Sequence, residues 1–121
     1  MPYIKPEQRG QLKHRTAQNA GELNYVITRI CLGFIENKAD VYAQVKTIIE
    51  AYIIVRGLSY QTLNDCMGVL CCCTAELYRR LGDNDMTDHL TSVLTSIGTD
   101  LYASIIAPYE DKAIERNGDL F

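Results

Sequence analysis

The sequence lacks several features that mark common functional classes. It has no tryptophan, only two phenylalanines and three prolines, and a net charge of −3. This charge gives no general attraction to a nucleic-acid polymer, so we expect no such partner. No signal peptide opens the chain, and no apolar run approaches the roughly 18 residues that cross a bilayer. We therefore expect a cytoplasmic protein without a membrane partner.

Patterns for catalysis and cofactor binding are also missing. His14 and His89 lie far apart, outside any His-Glu-x-x-His frame. The eight glycines are scattered and form no phosphate-binding loop. Asp65 and Glu76 have no second carboxylate three or four positions away, as helical magnesium sites require. We expect no enzyme activity, no metal and no cofactor.

The five cysteines give no metal site either. They are Cys31, Cys66, Cys71, Cys72 and Cys73, and no two of them lie three or four residues apart. Neighbouring positions on a helix point about 100° apart, so the Cys71–Cys73 run cannot converge on one ion. We interpret these thiols as small apolar side chains in a reducing cytoplasm.

Apolar periodicity predicts an all-α fold, a single-domain helical bundle over residues 1–121. No segment alternates with the period of a strand. A long central helix is expected over 59–81, with longer helices over 19–36, 40–56 and about 85–107. Short N- and C-terminal helices are expected over 6–15 and 108–117. Residues 1–18 are polar and predict an arm that is either mobile or used at an interface.

Turn and cap residues set the boundaries of these helices. Gly57 and Ser59 end one helix and begin the central one, and Asp83 or Asp85 is expected to cap the next. Pro108 is expected to stop or kink that helix. The tail after Gly118 ends in two large apolar residues, which predicts that it docks on its own or a neighbouring subunit.

The central helix has an unusual outer arc of small and polar residues, which are Asn64, Gly68, Cys72, Ala75 and Arg79. Small side chains at this spacing predict a groove in which a flat ligand could approach the backbone. The alternative is that a neighbouring helix packs there, which is the commoner use of small residues. The sequence leaves both interpretations open.

The helix over 19–36 carries polar residues on both sides of its apolar face. Asn24 and Thr28 lie one turn apart on one side, and Tyr25 and Arg29 on the other. They could bind a ligand, hydrogen-bond to neighbouring helices or simply contact water. Eight tyrosines in the chain supply flat surfaces with a polar tip, suited to base stacking or to subunit interfaces.

Four blocks of the sequence resemble a family of small proteins common in phages and prophages. The blocks are GELNYVIT at 21–28, SYQTLNDCMGVL at 59–70, ELYRR at 76–80 and APYEDKAIERNGDLF at 107–121. Small helical phage proteins of this size include oligomeric sponges that sequester the cyclic nucleotides of bacterial immunity, such as anti-CBASS sponges. The resemblance implies that role by class, with the host cytoplasm as its location.

Our leading hypothesis is a homo-oligomeric protein that sequesters a nucleotide-derived small molecule, a cyclic dinucleotide above all. Tyrosines would stack on bases, asparagines would contact base edges, and basic residues would pair with phosphates. The candidate residues are Asn24, Tyr25, Arg29, Tyr60, Asn64, Arg79, Arg80, Tyr109 and Lys112. Two alternatives stay open, which are a protein-binding module that modifies a host complex and a small nucleotide hydrolase.

Overall fold

The computed structural model describes residues 3–37 and 40–120, and this part of the chain is helical without any strand. The all-α prediction is confirmed, including the long central helix. In order, the elements are α1 (Pro6–Gln11), α2 (Ala20–Asn37), α3 (Val41–Arg56), α4 (Tyr60–Leu81), α5 (Asp85–Leu101), a π-helical segment (Tyr102–Ile106) and α6 (Ala107–Asn117).

Helix α4 is the centre of the bundle and packs mainly against α2 and α5, with a smaller contact to α3. Its inward residues are Leu63, Cys66, Val69, Leu70, Cys73 and Leu77, all buried. Burial raises the pKa of the Cys66 thiol to about 12 and that of Cys73 to about 11, so both stay neutral. These cysteines behave as the small apolar core residues that the sequence predicted, whereas Cys71 and Cys72 are exposed.

The groove predicted on the outer arc of α4 does not form. Gly68, Cys72 and Ala75 are exposed, and a Cβ atom added at Gly68 would meet no atom within 4 Å. None of the three lines the cavities described below. A groove needs a wall on either side, but α4 packs against α2, α5 and α3 through its buried residues, so this arc is left as an open helix surface.

Capping side chains and glycines define most helix ends. Asp40 caps α3 by accepting from the Ala43 amide at 3.1 Å, and Ser59 caps α4 by accepting from Thr62 at 3.2 Å. Asn84 caps α5, accepting from the Thr87 amide at 3.1 Å. The prediction of Asp83 or Asp85 was therefore wrong by one residue.

Pro108 does not stop the last helix, contrary to one of the two outcomes expected for it. Helices α5 and α6 join through the π-helical segment into one 33-residue helix, Asp85–Asn117. Pro108 is the second residue of α6, in the first turn after this segment, a position that suits the fixed φ of proline. The Ala107 amide bonds back to the Tyr102 carbonyl and completes the π-type turn.

By length and composition this joined helix could cross a membrane, although we had expected no such segment. Its apolar residues Leu90, Leu94, Ile97 and Leu101 are buried within the bundle, and a core helix of this kind meets the same criterion. Leu120 beyond it is 93% exposed, so the tail does not dock on its own subunit through this residue. The other apolar tail residue, at 121, lies outside the described residues.

The N-terminal segment is tied to α2 through the buried carboxylate of Glu22. Arg15 donates to both of its oxygens, at 2.7 and 2.8 Å, and Gln8 of α1 donates at 3.2 Å. The Gln18 amide adds a fourth bond at 3.0 Å. Helix α1 ends at Gln11, earlier than predicted. In the polar chain that follows it, both Arg15 and Gln18 donate hydrogen bonds to Glu22.

Glu22 should make stability depend on pH. Its pKa lies at about 2 instead of the usual 4.5, chiefly because Arg15 donates to it. A lowered folded-state pKa stabilises the fold above the unfolded-state value, and this contribution is lost as the pH falls through the folded-state value. We expect Glu22→Gln to lower the free energy of unfolding at pH 7 by about 1–3 kcal/mol and to flatten its decline from pH 4.5 to 2.

Urea denaturation at several pH values measures this effect. Glu115→Gln is the matched control, because Glu115 is an exposed carboxylate on α6, and this variant should keep the wild-type pH dependence. If the free energy of unfolding of Glu22→Gln fell as steeply between pH 4.5 and 2 as that of wild type, the role given to the Arg15–Glu22 pair would be contradicted.

Candidate functional site: a two-lobed basic cleft

Two adjoining cavities open between the N-terminal segment, α2 and the neighbouring helices. One has a volume of about 460 Å³ and the other about 350 Å³. Both are lined by Arg9, Lys13, Tyr25 and Arg29, so they are two lobes of one cleft. Together they fall in the size range of small-molecule sites.

Tyr25 and Arg29 form a ridge between the two lobes, because residues four apart share one side of a helix. Thr28 and Leu32 face the larger lobe, whereas Val26 and Ile30 face the smaller one. The one-turn spacing of Tyr25 and Arg29 on α2 therefore has a structural meaning, since it places both residues between the two lobes of the cleft.

The larger lobe is polar, with Tyr3 from the N-terminal segment and Glu76 and Arg80 from α4 completing its lining. Glu76 is buried, at 7% exposure, and is the only carboxylate among the lining residues that the structure describes. The smaller lobe is more apolar. Leu12, Gln44 and Gly33 complete its lining, and an added Cβ atom at Gly33 would meet nothing within 4 Å.

A compact hydrogen-bond network holds Glu76. The Tyr3 hydroxyl donates to its two oxygens at 2.7 and 3.0 Å, and Arg79 donates at 2.8 Å. Arg79 and Arg80 also donate to the Tyr3 oxygen, at 2.7 and 3.4 Å. The Tyr3 hydroxyl lowers the pKa of Glu76, with a further contribution from Arg79, so the carboxylate stays ionised.

The cleft as a whole is electropositive. Arg9, Lys13, Arg29 and Arg80 all line it, and the Glu76 charge is already paired with Arg79. The arrangement suits a ligand that carries more than one negative charge, with phosphate groups as the best match for guanidinium donors.

The cleft brings together only part of the site predicted from sequence. Tyr25, Arg29 and Arg80 line it, and Arg79 contacts it through Tyr3 and Glu76. Asn24 is excluded, since it is 1% exposed and its side-chain oxygen accepts from Thr28 at 3.2 Å and from Cys73 at 3.4 Å.

The remaining candidates lie elsewhere. Tyr60 and Asn64 line a separate cavity of about 190 Å³ between α4 and the last helix. Tyr109 is half-buried against the core, and Lys112 is exposed on α6. These four residues do not share a surface with the ridge on α2, so the cleft contains none of them.

Sequence reasoning missed Tyr3, Arg9, Lys13 and Glu76 as members of the site. The basic residues near the start of the chain were visible, but nothing in the sequence placed them over α2. Glu76 was considered only as a carboxylate without the partner that a magnesium site needs, because helical periodicity cannot show that Tyr3 covers it. Its one available signal was the neighbouring Arg79–Arg80 pair.

Two larger cavities of about 650 and 640 Å³ flank α5. The first lies against α3, where Tyr42 donates a hydrogen bond to Asp100. The second is lined mainly by apolar and small residues of α4 and α5. Neither combines several cations with aromatic rings as the cleft does. No group of three His, Cys, Asp or Glu side chains in the described ranges could hold a metal ion.

The fold and the site define an all-α protein with an exposed, basic, two-lobed cleft. The chain belongs to a family described as a domain of unknown function (DUF6899), which matches residues 1–84. Every residue that lines the cleft lies within this matched part, whereas α5, the π-helical segment and α6 follow it. No curated protein and no solved structure matches the chain.

The hydroxyl of Tyr3 should hold the N-terminal segment over the cleft. Tyr3→Phe removes the donor to Glu76 and the acceptor for Arg79, so we expect faster amide hydrogen exchange in α1, with the α4 core unchanged. Tyr60→Phe is the control, because the Tyr60 ring is 65% exposed and its hydroxyl has no partner in the described structure. Wild-type exchange rates in α1 of Tyr3→Phe would contradict this role.

Proposed function

We propose that this protein binds a small, multiply charged nucleotide in its basic cleft and sequesters it without turnover. The observation that carries the proposal is the ridge of Tyr25 and Arg29, with Arg9 and Lys13 beside it and a lobe on either side. A cyclic dinucleotide has the matching form, because two phosphates lie at its centre and two bases extend from it. Arginine and lysine would pair with the phosphates, and Tyr25 offers a ring for stacking.

The chemistry of the larger lobe favours binding over catalysis. Its single lining carboxylate, Glu76, is occupied by Tyr3 and Arg79, and its lowered pKa makes it a weak base. Tight binding without turnover is what a sponge requires. The phage origin and the host immune signal belong to this proposal through the sequence resemblance described above.

Self-association is part of the proposal, and the exposed apolar residues around the α3–α4 turn support it. Ile54 is 81% exposed, Val55 52%, Leu58 57% and Tyr60 65%, and all four lie close together in the chain. Apolar groups clustered in this way mark protein contact surfaces.

The same residues favour a second candidate function, a module that binds a host protein. Mass measurement across a concentration range separates the two, because a strict monomer leaves this surface to a different protein.

Isothermal titration against cyclic di- and trinucleotides tests the leading function. We expect Arg29→Ala to weaken binding of the best ligand by about 10- to 100-fold, since a hydrogen bond to a charged group contributes about 1.5–3 kcal/mol. Lys112→Ala removes an exposed cation outside the cleft and should leave the affinity unchanged. Absence of heat for every ligand at micromolar protein would overturn the proposal.

Gly33 offers a test of the smaller lobe that does not depend on charge. A leucine at this position would project into open space and would favour the helix by several tenths of a kcal/mol. We expect Gly33→Leu to fold at least as stably as wild type and to lose most of its ligand affinity. Gly68→Leu makes the same change on the open face of α4 and should bind normally. Equal binding by the two variants would remove the smaller lobe from the site.

A further inference from the structure

Glu76 is an unusual group to find in a cleft that attracts anions. It is 7% exposed and places a negative charge in a region where the proposed ligand is itself negatively charged. An ion pair with Arg79 does not by itself require a buried carboxylate, since the Arg79 side chain is 69% exposed. Its position in the wall of the larger lobe therefore suggests a role toward the part of the ligand that carries no charge.

A carboxylate accepts hydrogen bonds and donates none. Its two oxygens accept hydrogen bonds from the Tyr3 hydroxyl, at 2.7 and 3.0 Å, and from Nη1 of Arg79, at 2.8 and 3.3 Å. Tyr3 lies before α1 and is 56% exposed. A ligand entering the larger lobe can take the place of the Tyr3 hydroxyl while Arg79 stays bonded, provided that the ligand supplies donors of its own, because losing a donor to an ionised carboxylate is costly.

We propose that Glu76 selects a guanine-type base, and that Tyr3 occupies its place in the free protein. This inference rests on the proposed function and specifies its ligand. Guanine presents two adjacent N–H donors, which match the two carboxylate oxygens. Adenine presents one N–H donor beside a ring-nitrogen acceptor, and that acceptor would face a carboxylate oxygen without a proton between them.

The test compares cyclic di-GMP with cyclic di-AMP by isothermal titration. We expect the wild-type protein to bind cyclic di-GMP about 10- to 100-fold more tightly, the range of a good bidentate base contact. In Glu76→Gln the ratio should fall toward one or reverse, because an amide pairs well with adenine. Equal binding of the two dinucleotides by wild type, or an unchanged ratio in Glu76→Gln, would overturn the selectivity while leaving the function standing.

Tyr3→Phe provides a second arm that does not require changing a buried charge. With the phenol hydroxyl gone, Glu76 depends more on the donors of the ligand, so the preference for cyclic di-GMP should rise several-fold above that of wild type. A merely structural role for Tyr3 would lower both affinities and leave their ratio fixed, which would count against the inference. Binding of neither dinucleotide by any form would overturn both this inference and the cyclic-dinucleotide function.

Discussion

Two buried carboxylates, Glu22 on α2 and Glu76 on α4, fix the N-terminal segment on the bundle. Helix α1 contributes no buried residue of its own, and the segment packs on the core only after that helix, through the partly buried Leu12 and the buried Ala17. Arg15 and Gln8 bond to Glu22, and Tyr3 bonds to Glu76. Charged hydrogen bonds of this kind are both stronger and more directional than neutral ones. These two sets of hydrogen bonds hold the residues between Tyr3 and Arg15, including Arg9 and Lys13, beside α2. The cleft forms between this part of the chain and the helices.

The helices themselves could be predicted because their signals are local. The apolar periodicity of α4, the Ser59 cap and the terminating glycines Gly57 and Gly82 each act within a few residues. Both glycines have positive φ values, 86° and 80°, which L side chains rarely adopt. The expectation that Pro108 would stop the helix was wrong because the effect of a proline depends on the preceding turn, and here the helix continues through a π-helical turn just before it.

The site could be predicted only in part, and its missing members share one physical cause. Tyr25 and Arg29 were recognised because they lie one turn apart on a single helix. Tyr3 and Glu76 are separated by 73 positions, and no periodicity relates them. The prediction of a groove on α4 was wrong for a related reason. A helical wheel shows which side chains are small, but it does not show what packs beside them.

Local charge also explains how an acidic chain can carry a basic cleft. The net charge of −3 is the sum over all residues, whereas a bound ligand responds to the charges within about a Debye length. The cations that line the cleft repel one another, and water screens this repulsion while they remain exposed. Arg29 and Arg80 lie on different helices, so the bundle holds them in place without any contact between them. An anion placed between them would convert mutual repulsion into attraction, and this gain is largest where Tyr25 and the lobe walls exclude water.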